Sequence, residues 1–184
     1  MFKKTITIIL FIFFVQILFA QNTKYFTRNA VVSFASDAPI EKIHSSNKQA
    51  NCILNTQTND IALKIVMKNF EFEKQGMYDH FNDTYVESDK FPNATFEGKI
   101  STAIDYTKNG KYTVTVDGKL TIHGVAKAVK QTGTIEINTG KITAKSKFSI
   151  KLSDYGVIVP NDYIKKISNL VDIDINAVMT PYVR

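Results

Sequence analysis

The side chains in this chain that could carry chemistry are few and scattered. His123 stands in Leu120-Thr121-Ile122-His123-Gly124-Val125, on the polar phase of an alternating run, where an imidazole could serve as a general base. No Gly-x-Ser-x-Gly or comparable nucleophile context accompanies it, and no glycine-rich phosphate loop occurs. His123 therefore reads first as a hydrogen-bond partner for backbone or a neighbouring strand where the chain turns at Gly124. Asp79, His80 and Asp83 invite a metal reading, but no second histidine lies at ligand spacing and their helical phases diverge. Asp172 and Asp174 match ordinary surface alternation, whereas a glycosidase pair needs burial and a facing cleft. Asp154 and Tyr155 read as a strand-end turn. Cys52, the sole cysteine, lies in Asn51-Cys52-Ile53-Leu54; it can form no intramolecular disulfide and reads as a small buried hydrophobe. These features argue against an enzyme.

The elements that hold these residues are strands. Ala94 to Ile100 alternates, with Phe96 and Ile100 on one side and Thr95, Glu97 and Lys99 on the other. A turn is predicted at Lys108-Asn109-Gly110-Lys111, because Asn and Gly both tolerate positive φ. The following arm, Tyr112 to Gly124, places Tyr112, Val114, Val116, Leu120 and Ile122 on one face, and Gly118 suggests a bend of the kind a closing barrel needs. Further strands are expected at 24–36, with Val32 and Phe34 in phase, at 61–68 with Leu63, Ile65 and Met67 inward, and at 125–137. Two more are expected at 141–152, where Phe148 and Ile150 oppose a lysine row, and at 170–178, where Val171, Ile173 and Ile175 point inward. Ile43 to Gln49 reads as a polar stretch ahead of a short apolar run from Cys52. Met77, Phe81 and Tyr85 recur at helical spacing and predict a short amphipathic helix, either covering one mouth of a barrel or lying as a lid on the core rim. Asn138-Thr139-Gly140-Lys141 predicts a second tight turn, and Asn161 or Asp162 is placed to cap one helical turn. About eight antiparallel strands with one apolar face and no long helix predict an all-β, eight-stranded barrel with one or two short helices at its mouth.

Two segments carry a family resemblance. Lys90-Phe91-Pro92-x-x-x-Phe96-x-Gly98, followed by Gly118-Lys119-Leu120-Thr121-Ile122-His123-Gly124-Val125-Ala126-Lys127, resembles the YceI-like family of secreted bacterial proteins. Ser153-Asp154-Tyr155-Gly156 stands where that family has its Asp-Phe/Tyr-Gly after a late strand. The likeness spans roughly residues 60 to 178 and departs at the start, where Ala30-Val31-Val32-Ser33-Phe34 replaces the usual opening. It implies a lipocalin-like barrel and the binding of a polyisoprenoid lipid or quinone, with no other cofactor.

Residues 1–20, Met-Phe-Lys-Lys followed by an apolar run ending at Ala20-Gln21, read as a cleaved secretory signal peptide. Residues 21–184 then form one exported domain, periplasmic or secreted. Of the 23 basic residues, Lys3 and Lys4 fall in the leader, so the remainder exceeds the 17 acids only mildly. No basic stripe marks a nucleic-acid binder; a transient contact with a membrane surface stays open, as does a dimer.

Three functions follow. The first is a carrier or store for an apolar long-chain molecule, an isoprenoid, quinone or related lipid, held in the lumen. Its lining would be Phe34, Leu63, Ile65, Met67, Phe81, Phe96, Val114, Val116, Phe148, Ile150 and Ile173, with Met77 as an adaptable wall. The second is a barrel filled by its own side chains, acting through its surface as an envelope-stress or interaction module. The third is an enzyme using His123. Lumen volume separates the first two.

Overall fold

The structure is a computed structural model describing residues 23–182; the predicted leader at 1–20 lies outside them. Eight antiparallel strands close into a barrel in chain order: β1 Lys24–Asp37, β2 Lys42–Asn55, β3 Asp60–Val66, β4 Asn93–Ile100, β5 Gly110–Ile122, β6 Val125–Asn138, β7 Lys141–Lys151 and β8 Leu170–Pro181. β1 pairs with both β2 and β8, which removes free sheet edges. The ladders of β1 slip around Thr27 to Ala30. Across this bulge the inward phase switches, so Tyr25 reaches the core while Phe26 packs outside against Tyr182.

The turns sort by chemistry. His123 and Gly124, with φ of 50° and 73°, join β5 to β6, and Thr139 and Gly140, with φ of 47° and 76°, join β6 to β7. Both are two-residue hairpins of the primed kind that matches strand twist. The turn expected at Asn109-Gly110 does not form. β4 and β5 are joined by the longer segment 101–109, and Gly110 opens β5 opposite Ile137. Asp105 organises that segment by accepting from the Thr107 amide (3.1 Å) and hydroxyl (2.6 Å), while Asn109 accepts from the Thr139 amide of the neighbouring turn (3.1 Å). These hydrogen bonds, the Thr107 hydroxyl foremost, and the Lys108 ammonium hold the Asp105 carboxyl down at about 2.

Two further expectations are corrected. The polar stretch 43–49 is not a loop but the first half of β2. Its inward residues Ser45 and Asn47 are buried because β3 ends early and they replace it: Asn47 Nδ2 donates to the Val66 carbonyl (2.9 Å) and Ser45 Oγ to the Glu71 carbonyl (2.7 Å). At Asn161–Tyr163 a single helical turn forms, but Pro160 precedes it and no side chain caps it. Gly118 lies inside one continuous strand with unbroken register. It sits opposite Gly98, where a Cβ would meet the Glu97 carbonyl oxygen at 2.5 Å and the Phe96 ring at 2.7 Å. The glycine pair is bare so that the Phe96 ring can lie on the inner wall.

The two barrel ends differ. At the end where β1 begins and β8 finishes, Leu54, Ile100, Ile135, Ile137, Ile142 and Met179 pack into a solid core, with Ile104 and Tyr106 from segment 101–109 against it. The opposite end is crossed by the helix α1 Gln75–His80 and the π-turn Phe81–Tyr85, and by the connection between β7 and β8. The helical expectation from Met77, Phe81 and Tyr85 is met there.

Candidate functional site: the barrel lumen

Above the packed end, the inward faces of the strands enclose a cavity of about 690 Å³. Alternation dictates its chemistry: every second residue of each strand points inward, and those positions are overwhelmingly apolar. The walls present Phe34 from β1, Leu63 and Ile65 from β3 with Met67 just beyond, and Phe96 from β4. They continue with Val114 and Val116 from β5, Phe148 and Ile150 from β7, and Ile173 from β8. Met77 and Phe81 descend from the helical cover. All twelve residues singled out from the sequence therefore border one void.

Several inward residues remain partly accessible although the barrel surrounds them, among them Phe34, Phe96, Val116, Phe148 and Ile173. All five border the void, which the barrel's own large side chains leave unfilled. Cys52 also borders the void; it is buried, and loss of hydration pushes its thiol up to about 12, far from a reactive thiolate.

The cover is built from aromatic rings. Phe81 stacks on Phe34 (centroids 5.6 Å), meets Phe70 edge-on (5.6 Å) and lies tilted on Phe72 (4.9 Å). Phe70 and Phe72, absent from the lining expected from the sequence, belong to the run Phe-Glu-Phe-Glu. Its own alternation, with both rings inward and both acids outward, was the available signal. The mouth is rimmed by Glu41, Lys74, Gly76, His80, Tyr163 and Lys166.

His123 does not border the cavity. Its Nδ1 donates to the Tyr155 carbonyl (3.3 Å), its Nε2 faces Glu87 Oε2 (2.9 Å), and Phe91 meets the ring edge-on at 4.5 Å. The imidazole thus ties together three segments at the mouth end, the structural role expected of it. The bonds from Lys90 and then His123 hold the Glu87 carboxyl below the usual glutamate range. Asp154 and Tyr155 lie in the turn Leu152–Tyr155, which Gly156 ends with φ of 71°. Asp172 accepts from Ser149, and Asp174 pairs with Lys147 (2.6 Å), both on the outer face. Asp79 accepts from Gln75 (2.8 Å), and no group of three potential metal ligands converges among the described residues.

The comparisons agree with this architecture. No curated protein matches the chain. Among solved structures, a polyisoprenoid binding domain from Saccharophagus degradans, implicated in plant cell wall breakdown, superposes with a TM-score of 0.74 at 14% identity, over 88% of this chain and all of that one. Burkholderia cenocepacia BcnA gives 0.67 at 22% identity, over 82% and 96% of the two chains, and the Campylobacter jejuni YCEI protein 0.60 at 20%, over 73% and 82%. These likenesses establish the lipocalin-like barrel. The model of the YceI-like domain matches residues 25–179, nearly the whole of the described structure, and the chain belongs to the YceI-like family.

Proposed function

We propose that this protein is an exported carrier or store that holds one long apolar molecule, of the isoprenoid or quinone class, in its lumen. The observation that supports this reading most is the void itself: about 690 Å³, bounded by aliphatic and aromatic side chains, within the range of small-molecule sites. A packed interior would have favoured the surface-acting alternative. The polyisoprenoid-binding relative from Saccharophagus degradans lends the ligand class. At roughly 0.3 kcal/mol per heavy atom, a ligand of about 30 atoms reaches roughly 9 kcal/mol, a submicromolar Kd.

Thermal unfolding with and without an isoprenoid quinone tests the reading. At a hundredfold excess over Kd, stabilisation is about 2.7 kcal/mol, which raises Tm by about 5–10 °C. Val116→Trp, which puts an indole into the lumen from a wall position with room before it, should keep the ligand-free Tm near wild type and abolish the shift. An absent shift in the wild type, or an equal one in Val116→Trp, contradicts the proposal.

A further inference from the structure

One seam of the barrel is not closed by backbone. β6 is bonded to β5 along its length and β7 to β8 along its length, but β6 and β7 pair only where Thr134–Asn138 meets Lys141–Lys145. Towards the mouth the two strands part at Gly133, where even a Cβ would come within 2.5 Å of the Lys145 carbonyl oxygen. Beyond this fork the Ser146 hydroxyl donates to the Thr132 carbonyl (2.7 Å), and Val125, Val129, Phe148, Ile150 and Leu152 of the two flanking stretches belong to one apolar cluster. The other shortened seam, above β3, is laced by the polar bonds of Ser45 and Asn47. Here apolar side chains do the closing, and they can part by changing rotamer without breaking a ladder of hydrogen bonds.

The cavity reaches this seam from both sides. Gln131 and Gly133, on the inward phase, and Thr132, Thr134 and Lys145, on the outward phase, all border the same void. Residues of both phases border the void here, at the fork where the hydrogen-bonded ladder between β6 and β7 stops. The lips of the slit are basic: 125–132 carry Lys127 and Lys130, 145–151 carry Lys145, Lys147 and Lys151, and neither stretch holds an acid. Lys130 pairs with Asp117 of β5 and Lys147 with Asp174 of β8, while Lys127, Lys145 and Lys151 have no ion pair among the described residues. Asp154 and Asp162 in the connection from β7 to β8, and Asp172 of β8, are the other acids on adjoining elements. At the top of the slit, in the connection after Gly156, Ile158 is 79% exposed.

We infer that this face docks on an anionic phospholipid bilayer, and that the slit between β6 and β7 passes the apolar chain sideways between bilayer and lumen. Each methylene exposed to water disfavours transfer about fourfold, so ten of them crossing an unshielded gap are disfavoured roughly a millionfold. A lateral opening held against the membrane removes that gap. The passage rests on the cargo reading above; the docking does not.

Vesicle flotation of the full chain, with phosphatidylglycerol or with phosphatidylcholine alone, tests the docking. The wild type should float with the anionic vesicles and release in about 0.5 M salt. Reversing Lys127, Lys145 and Lys151 together to Glu should weaken binding on the order of a hundredfold, whereas reversing Lys24, Lys64 and Lys111 should matter far less. Equal binding to neutral vesicles, or equal loss in both triple variants, overturns the inference. A fluorescent isoprenoid offered from cyclodextrin should load the slit variant normally and, offered from anionic vesicles, load it slowly. Normal loading from vesicles overturns the passage with the cargo reading intact, while failure of the wild type to load from either source overturns both.

Discussion

Phe81→Ala removes the ring on which the cover of the lumen is centred. Phe81 contacts three other rings, Phe34, Phe70 and Phe72, at centroid distances of 5.6, 5.6 and 4.9 Å. Truncating a fully buried phenylalanine costs about 3–5 kcal/mol. Phe81 is half-buried because part of it faces the void, so the lower end, about 3 kcal/mol, is expected. Each aromatic pair adds about 0.5–1.5 kcal/mol beyond burial, so Phe81→Leu, which keeps apolar bulk but loses three ring contacts, should cost about 1.5 kcal/mol. At roughly 2–4 °C per kcal/mol for a domain of this size, Tm falls by about 6–12 °C for the alanine variant and about half that for leucine. The chain has no tryptophan, so unfolding is followed by circular dichroism or by tyrosine emission. Because the same ring covers the void, a bound fluorescent isoprenoid should also leave Phe81→Ala faster than wild type. An alanine variant within about 0.5 kcal/mol of wild type, or one destabilised with unchanged release, would refute the idea that this cluster is the lid.

Three further outcomes follow from the same geometry. Asn47→Leu keeps size but strands the Val66 carbonyl and the Gln49 amide, which Asn47 satisfies at 2.9 and 2.8 Å; at about 1–3 kcal/mol per orphaned group, urea unfolding should show a loss of about 2–5 kcal/mol. Gly118→Ala meets the Glu97 carbonyl and the Phe96 ring inside contact distance, so it should destabilise far more than Gly140→Ala, whose Cβ meets open space and which costs about 1–2 kcal/mol for its positive φ; equal melting of the two variants would contradict the account of the glycine pair. Glu87, with its carboxyl held low by Lys90 and His123, gives stability that is present above the ordinary glutamate value, about 4.3, and lost as pH falls through its lower folded value. Denaturation between about pH 5 and pH 3 should therefore be steeper for wild type than for Glu87→Gln, and parallel curves would remove the pair from the stability account.

Much of this was legible from alternation. Once Leu63, Phe96, Val114 and Phe148 are assigned inward by period, a closed sheet must bring them together, because a barrel gives all inward residues one space. The turns at Gly124 and Gly140 were visible because positive φ selects glycine. What stayed hidden depended on partners distant in sequence. Ser45 and Asn47 break the apolar pattern of β2 because their bonds go to Val66 and Glu71, about twenty residues or more away. Asn109-Gly110 has the composition of a tight turn, yet Asp105 and the neighbouring Thr139 turn offer that segment better hydrogen bonds. The steric need for Gly118, the ring of Phe96 over Gly98, lies on another strand and is out of reach of the pattern. The fork between β6 and β7 left no trace in the pattern, since both strands keep alternating after they part.

The central claim is that the void of about 690 Å³ holds a long apolar molecule. Native mass spectrometry of the protein, purified without detergent from its own cells and then extracted with organic solvent, tests this most directly. The account predicts a mass exceeding that of the polypeptide by one isoprenoid or other long-chain lipid, released on denaturation and recovered in the extract. A bare polypeptide mass that stays bare after incubation with total lipid extract would contradict it.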